Sequence, residues 1–302
     1  MVAADWDSAF MPSLAVTKVL LRELMTRGRV PRIPEPDLVM DDPDKVAAFT
    51  RAGREDGVMA PVYLYHCAQV CEIVRPGDQV VDLGCGPATQ LAMIARLNPE
   101  TQFLGVDFSD EMLDRARSHV AAEGLSNVRF HKADMSQLGF LADRSVDAVY
   151  STVALHHLPS LETLRRTFAE VGRILRRDGG VYIVDFGRLK SKKSIEYFAY
   201  QYADRQPELF TLDYLYSLNA AFTADDFRHV TRAHLNDRAQ VYTTFIAPFM
   251  VAVKSPARRE PSTALRARMS EMRGRLPKHH QVDVSDLVSW FGMNGLKSTL
   301  LH

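Results

Sequence analysis

The sequence is poor in cysteine, has no long apolar run and has no net charge. Its three cysteines are an odd number in a chain of 302 residues, which argues against a disulfide framework and indicates a reducing compartment, so we expect a cytoplasmic protein. The longest apolar run, residues 245–253, contains a proline and is far shorter than the roughly 18 residues that span a bilayer. The first 14 residues lack the basic and apolar regions of a signal peptide. We therefore expect no insertion into a membrane.

The charges are balanced overall but unevenly distributed. Lys and Arg number 37, as do Asp and Glu, which argues against the strong positive field typical of proteins that bind nucleic acid. Residues 254–302, however, contain nine basic and four acidic residues, so this segment carries +5 and residues 1–253 carry −5. Either the basic residues form a solvated face, or the segment folds back on its own acidic body or on that of a neighbouring subunit.

The two ends of the chain differ from its middle. Residues 1–74 predict helices interrupted by the proline-rich stretch 31–37, and we interpret them as a helical cap that contributes to a substrate site. Residues 256–302 form a basic C-terminal extension whose last part is apolar enough to dock on the domain or on a second subunit. A homodimer through the terminal segments is one expectation that follows.

Residues 75–255 alternate short apolar runs with helical periodicity, a pattern typical of a parallel α/β sheet with crossover helices. A helical insertion is expected over 191–222, with a helical region at 191–219. The last two strands are joined by almost no loop, so they must pair antiparallel. The predicted strands are 79–84, 101–107, 128–134, 146–152, 180–186, 240–246 and 248–254.

A glycine loop follows the first predicted strand. Gly84 and Gly86 allow a tight turn and close approach of a ligand to the backbone. Asp107 closes the next strand, where a carboxylate can accept hydrogen bonds from both ribose hydroxyls of an adenosine. A dinucleotide site would need a third glycine where Thr89 stands, and Asp82 would repel a pyrophosphate. The same carboxylate would attract an ammonium or a sulfonium group.

These motifs resemble those of the class I S-adenosylmethionine-dependent methyltransferases, over about residues 75–255. The resemblance implies a Rossmann-like three-layer α/β sandwich with a seven-stranded, mostly parallel sheet whose last strand is reversed. It also implies S-adenosyl-L-methionine as cofactor and S-adenosyl-L-homocysteine as product. Ala88 departs from the family, which often has glycine there, but a small side chain is expected to fit. The matching stretches are VVDLGCGPAT, FLGVDFSDEML, VRFHKADMSQLGF, VDAVYSTVALHHLP and VGRILRRDGGVYIVDF.

The resemblance implies a cofactor role for nine residues. The glycine loop and Asp82 would lie below the methionine moiety, and Asp107 would bind the ribose. Ser151 would lie where the methionine amine meets the transferred methyl group. The others would bind the adenine by sandwiching it or by reading its amino edge, although Phe108 and Met112 fit a purely apolar core equally well. The nine residues are Asp82, Gly84, Gly86, Asp107, Phe108, Met112, Asp134, Met135 and Ser151.

The reaction implied is an in-line displacement of the methyl group by an N, O, S or C atom of the acceptor. Alignment of two reactants can contribute up to about 7–11 kcal/mol. His156 and His157 follow the fourth strand and are candidate general bases, needed only if the acceptor arrives protonated. The alternative is that these histidines shape the loop through hydrogen bonds. No metal is expected.

The acceptor is predicted to be a small aromatic or heterocyclic metabolite. Tyr63, Tyr200, Tyr214 and Tyr216 are the candidate contacts, and the alternative is a helical lid that packs these rings on the core. Methylation of a nucleobase amine is disfavoured because S-T-V-A follows the fourth strand in place of the N/D-P-P-Y/F of such enzymes. A non-catalytic cofactor-binding scaffold and an RNA or protein methyltransferase remain alternatives.

The cysteines raise one further acceptor class. Cys67 and Cys71 are spaced i, i+4 and share a helix face, as in a thiol cluster that would bind arsenic or another metalloid. Cys85 belongs to the glycine loop, however, and the other two suit buried helix positions. We therefore interpret the thiols as packing residues.

Overall fold

A seven-stranded sheet forms the centre of the computed structural model, which describes residues 14–36, 42–52 and 57–301. The strand order is β3-β2-β1-β4-β5-β7-β6, and all neighbours are parallel except β7, which is antiparallel to both β5 and β6. This confirms the predicted Rossmann-like sheet with its last strand reversed. The strands are β1 (Gln79–Leu83), β2 (Gln102–Asp107), β3 (Val128–Lys132), β4 (Val146–Thr152), β5 (Leu175–Phe186), β6 (Gln240–Thr243) and β7 (Met250–Lys254).

Helices cover both faces of the sheet and one end of it. They are α1 (Leu14–Met25), α2 (Pro43–Ala52), α3 (Ala60–Ile73), α4 (Thr89–Leu97), α5 (Asp110–Ala122), α6 (Leu161–Ile174), α7 (Lys192–Tyr200), α8 (Glu208–Ala220), α9 (Ala224–His234), α10 (Thr263–Arg275) and α11 (Lys278–Gly292). Apolar side chains of α3, α4, α5, α10 and α11 share one core with the sheet, and those of α6 and α9 share another. Val80 and Val81 face opposite cores because successive strand residues alternate. Among the described residues, no helix combines the length and apolarity needed to cross a membrane.

Local sequence signals define two of these helices. Ser109 caps α5, where its hydroxyl accepts a hydrogen bond from the Met112 amide. Thr223 and Asp226 form a reciprocal capping box at the start of α9. Both helices begin with acidic residues, which favour the positive end of the helix dipole.

Several predicted element boundaries were wrong, and β5 begins at Leu175 where the sequence predicted a start at residue 180. The last two strands are shorter than predicted, and a loop over 244–249 separates them because the Thr244 hydroxyl bonds the Ala247 carbonyl and ends the ladder. The helical region predicted over 191–219 consists of two helices, α7 and α8. Pro207 precedes α8 as its N-cap, and a proline in a helix interior would remove a hydrogen bond.

The basic C-terminal segment folds back on the acidic body. Lys254 forms a buried ion pair with Glu72 of α3, and Arg258 forms another with Asp78. Glu72 also accepts hydrogen bonds from the Ser298 hydroxyl and from the amide and hydroxyl of Thr299. Helix α11 packs along α3, so both ends of the chain meet over one face of the sheet.

We expect Glu72→Ala to lower the free energy of unfolding by about 3–5 kcal/mol, because it leaves the buried Lys254 ammonium without its counterion. Urea unfolding measures this loss. The matched control is Glu271→Ala, whose ion pair with Arg275 is exposed and is worth at most about 0.5 kcal/mol. Equal effects of the two substitutions would contradict the importance of the buried pair.

Candidate cofactor site and active site

A cavity of about 550 Å³ opens at the carboxyl ends of the parallel strands. The loops after β1, β2, β3 and β4 all contribute to its wall. Strand β1 has β2 on one side and β4 on the other, so the cavity lies where the strand order reverses. Ligands of open α/β sheets bind at this switch point.

The glycine loop after β1 has a backbone that side chains rarely adopt. Gly84 and Gly86 have φ angles of 74° and 51°. A Cβ on Gly84 would also lie 2.4 Å from the Cβ of Ala154, so only glycine lets the loops after β1 and β4 meet. Ala88 is fully buried and has a φ of 61°, a conformation that costs an alanine roughly 1–2 kcal/mol.

Asp107 joins the glycine loop to the end of β2. One carboxylate oxygen accepts a hydrogen bond from the Gly86 amide at 2.8 Å, and the other accepts one from the Ser109 amide at 3.0 Å. Burial raises the pKa of Asp107, and these amides work against that rise. Each carboxylate oxygen can accept two hydrogen bonds, so a ribose diol can still bind to this cavity-lining side chain.

Two of the predicted cofactor residues lie beneath the cavity and do not line it. The Asp82 side chain is 3% exposed, and burial, reinforced by the Asp107 charge, raises its pKa to about 8. The Ser151 hydroxyl is fully buried and donates a hydrogen bond to the Leu83 carbonyl at 2.6 Å. Ser151 therefore ties β4 to β1, and its hydroxyl does not line the cavity in which the methionine amine was predicted to bind. The residues after β4 that reach the cavity are Val153 and Ala154.

The four residues assigned to adenine all line the cavity. Phe108 is 55% exposed despite being aromatic, which favours a ligand contact over a core role, whereas Met112 is buried. Asp134 accepts a hydrogen bond from the Ser136 amide at 2.8 Å, which fixes its carboxylate beside Met135. The apolar side chains of Phe108 and Met112 and the carboxylate of Asp134 thus line the same cavity as Asp107.

His156 and His157 lie in a 3₁₀ turn after β4, and both line the cavity. Asp185, near the end of β5, holds His156 through two contacts: its Oδ1 lies 2.7 Å from the ring Nδ1, and its Oδ2 accepts the backbone amide. Glu35, from the proline-rich segment, approaches both rings. Its Oε2 lies 2.9 Å from His157 Nδ1, and its Oε1 lies 3.6 Å from His156 Nε2.

The charged forms of Glu35 and His156 are stabilised by the neighbouring groups of opposite charge. Burial acts to raise the pKa of Glu35, but the contact with His157 and the charge of His156 outweigh it and lower the pKa to about 2. Burial acts to lower the pKa of His156, but the Asp185 carboxylate outweighs it and raises the pKa. The Ser217 hydroxyl donates a hydrogen bond to Glu35 at 2.8 Å. An ionised carboxylate is therefore held beside two imidazoles.

The same three side chains could hold a metal ion, although none was expected from the sequence. One donor atom each from Glu35, His156 and His157 lies within 4.8 Å of the others. Two imidazoles and a carboxylate are a common ligand set for first-row transition metals. Sequence reasoning missed Glu35 because its segment, PRIPEPD, carries only a helix-breaking signal and lies far along the chain from the histidines.

Aromatic rings bound the other end of the cavity, which we call the acceptor side. Its wall includes Phe186, Phe198, Tyr214 and Trp290. Tyr214 packs against Phe186 with ring centroids 5.2 Å apart, and Phe186 packs against His156 at the same separation. The acceptor side therefore adjoins the histidine pair.

Only Tyr214 of the four predicted acceptor tyrosines lies on this wall. Tyr200 and Tyr216 are 52% and 37% exposed and do not line the cavity, because their positions on α7 and α8 face away from it. Tyr63 is buried in α3 and does not line the cavity either. Helix α11 supplies further wall residues that were not predicted, and the apolar character of the chain's last segment was their only signal. These residues are Asp283, Asp286, Leu287 and Trp290.

Comparison with known proteins identifies the domain that carries this site. A family model described as a methyltransferase domain matches residues 80–179, which include the glycine loop, Asp107 and the histidine pair. The matched stretch is about a third of this chain, and the sheet that contains it has the strand order of the class I methyltransferase fold. S-adenosyl-L-methionine is the cofactor of that family, and the residues around the cavity fit it: Asp107 retains free lone pairs, and an apolar wall stands beside it.

Relatives of this methyltransferase domain differ in what they methylate. The arsenite methyltransferase of Halobacterium salinarum is 34% identical over 113 residues, which cover 37% of this chain and 28% of that protein. The trans-aconitate 2-methyltransferase of Deinococcus radiodurans is 42% identical over 85 residues, which cover 28% of this chain and 30% of that protein. The chain thus spans less than a third of the length of these curated relatives.

A solved structure shows the same fold. The methyltransferase from Aquifex aeolicus aligns with a TM-score of 0.50 and 17% identity, over 72% of this chain and 98% of that one. At this identity the likeness concerns the architecture, and it agrees with the strand order described above.

Asp82→Asn should change how the stability of the ligand-free protein depends on pH. The pKa of Asp82 is about 8 in the fold and about 3.9 in an unfolded chain, so the wild type loses stability as pH rises from about 4 to about 8. Asparagine cannot ionise, and the Tm of the variant relative to wild type should therefore rise across this range in calorimetry. Asp204→Asn, at an exposed position, is the control. A constant difference between variant and wild type would contradict the raised pKa.

Proposed function

We propose that the protein transfers the methyl group of S-adenosyl-L-methionine to an N, O, S or C atom of a small molecule. One observation carries this proposal: a single cavity joins the glycine loop and Asp107 at one end to the histidine pair and an aromatic wall at the other. A donor and an acceptor can therefore be bound side by side. Their alignment, away from bulk water, is the main source of rate enhancement in such a displacement.

The cofactor is proposed to bind with its ribose on Asp107 and its adenine between Phe108 and Met112. Asp134 and Met135 would read the adenine edge, and the methionine moiety would lie on Gly84 and Gly86. Asp82 lies beneath the glycine loop and does not line the cavity, and its raised pKa keeps the carboxyl largely neutral in the ligand-free protein.

His156 and His157 are proposed to receive the proton of an acceptor that arrives protonated. Asp185 bonds Nδ1 of His156, which assigns the proton to that nitrogen and leaves a lone pair on Nε2. Both rings line the cavity next to the aromatic acceptor side. The sulfonium–methyl bond breaks as the methyl–acceptor bond forms, and neutral sulfur leaves as S-adenosyl-L-homocysteine.

An aromatic or heterocyclic acceptor is proposed because rings dominate the acceptor side. Phe198 stacks on Phe249 at 4.6 Å, and Trp290 meets Phe249 edge-on at 6.1 Å, which leaves apolar faces suited to a planar molecule. An arsenite acceptor, as named for one relative, is disfavoured. All three cysteines are buried, and none is among the described residues that line the cavity.

A cytoplasmic location and a homodimer through the terminal segments belong to the same proposal. The three cysteines are free thiols, as in a reducing compartment. Light scattering of the purified protein tests the dimer directly.

Asp107→Ala should weaken the binding of S-adenosyl-L-homocysteine by roughly 10–100-fold, because hydrogen bonds to a charged group contribute about 1.5–3 kcal/mol. Isothermal titration calorimetry measures the affinity. Asp114→Ala, an exposed acid on α5, should bind as the wild type does. An unchanged affinity in a folded Asp107 variant would remove the ribose assignment, and absence of binding by the wild type would remove the cofactor proposal.

Transfer itself can be tested without knowing the acceptor. Wild-type protein incubated with methyl-labelled cofactor and a metabolite extract should label a small molecule, and Asp107→Ala should not. Fractionation of the products identifies the acceptor and the atom methylated. Label found only in RNA or protein would replace the small-molecule proposal, and no label in any fraction would indicate a cofactor-binding scaffold.

A further inference from the structure

We infer that Glu35, His156 and His157 form a binding site for one divalent first-row transition metal ion, on the cavity wall between the cofactor and the acceptor side. The donor groups are the Glu35 carboxylate, with Oε1 nearer His156 and Oε2 nearer His157, Nε2 of His156 and Nδ1 of His157. Binding of the ion does not depend on methyl transfer, so the inference stands apart from the proposed function.

The donor separations suit a shared ion. Ligand atoms at about 2.0–2.2 Å from one metal lie about 3.0–3.5 Å from each other. Here the two carboxylate-to-imidazole separations are 2.9 Å and 3.6 Å, and all three donors lie within 4.8 Å of one another. Side-chain adjustments of a fraction of an ångström to about an ångström would complete the set.

One of the proposed metal-ligating atoms has no hydrogen-bond partner. His157 Nδ1 is buried, and despite its 2.9 Å separation from Glu35 it lacks the alignment of a hydrogen bond. The 3.6 Å separation at His156 Nε2 is likewise too long for one. Buried polar atoms normally have partners, so a buried ring nitrogen held beside a carboxylate without a hydrogen bond to it points to a missing ligand.

The groups behind the cluster match those that support metal ligands. Asp185 Oδ1 bonds Nδ1 of His156 and so directs the free lone pair of Nε2 towards Glu35. A carboxylate that orients a histidine in this way is typical of metal sites. The Ser217 hydroxyl fixes Glu35, and Arg32 fixes the histidine turn through hydrogen bonds to the backbone carbonyls of His156 and Leu158.

The ligand types indicate the class of metal. Two imidazoles with one carboxylate favour zinc, iron, cobalt or nickel over magnesium and calcium, which prefer all-oxygen sites. Asp185 and Asp213 add negative charge around His156, which further favours a dication.

The position of the site gives the ion a chemical use. Both histidines line the cavity, and His156 adjoins the acceptor side through its contact with Phe186. A bound hydroxyl or thiol would then lose its proton to solvent at a lower pH, because a metal ion lowers the pKa of its ligand. With metal bound, the ion takes over the task that the histidine pair performs without it.

Cobalt is the probe. Protein freed of any affinity tag and of metal by a chelator is titrated with Co²⁺, and we expect visible ligand-field bands that saturate at one ion per chain and are displaced by Zn²⁺. Glu35→Gln and His157→Gln should abolish the bands, and Asp185→Asn should weaken binding by roughly 10–100-fold. His229→Gln, an exposed position on α9, is the control and should behave as the wild type does.

Three results would overturn the inference: no bands in the wild type, equal affinity in all variants, or loss of the bands in His229→Gln alone. Ser217→Ala is a second probe of Glu35 should a ligand variant fail to fold, and it too should weaken Co²⁺ binding. Zinc should also raise the Tm of the wild type but not that of folded ligand variants. Cobalt bands without methyl transfer would remove the proposed function and leave the metal site standing.

Discussion

The whole site depends on the close contact between the loops that follow β1 and β4. Gly84 meets Ala154 where no larger residue would fit, and this contact places the cofactor loop directly beside the histidine turn. The Gly86 amide then fixes Asp107, and Asp185 fixes His156 from the next strand. The proposed donor site and the proposed proton-accepting site are thus adjacent because residue 84 carries a hydrogen atom in place of a side chain.

Buried charge joins the two ends of the chain to the sheet. Glu35 brings the N-terminal segment to the histidines, and Lys254 and Arg258 bring the C-terminal segment to Glu72 and Asp78. A buried ion pair adds little net stability compared with an apolar contact, but losing one partner is costly. Such pairs therefore favour one docking position over others, and that position completes the cavity wall.

The sequence predicted the sheet, and most of the residues proposed for the cofactor line the cavity, because those parts obey local rules. Alternating apolar runs indicate strands, and the spacing of Gly84, Gly86 and Asp107 reflects a backbone geometry that few residues allow. Ser151 was misplaced because strand alternation at β4 turns its hydroxyl into the sheet. Glu35 and Asp286 were missed because their roles arise only when segments from both termini meet over the cavity. Three of the four proposed acceptor tyrosines do not line the cavity, since tertiary packing sets which side of a helix faces it.

Trp290 gives the acceptor side an optical property of its own. The sequence has two tryptophans, and Trp6 lies outside the described residues, whereas the indole of Trp290 stands on the cavity wall edge-on to Phe249. Any molecule that enters the acceptor side displaces water from beside this ring, so the emission of the native protein carries a signal of occupancy. The molecule therefore contains its own fluorescent reporter, with which candidate acceptors can be screened without label, cofactor or turnover.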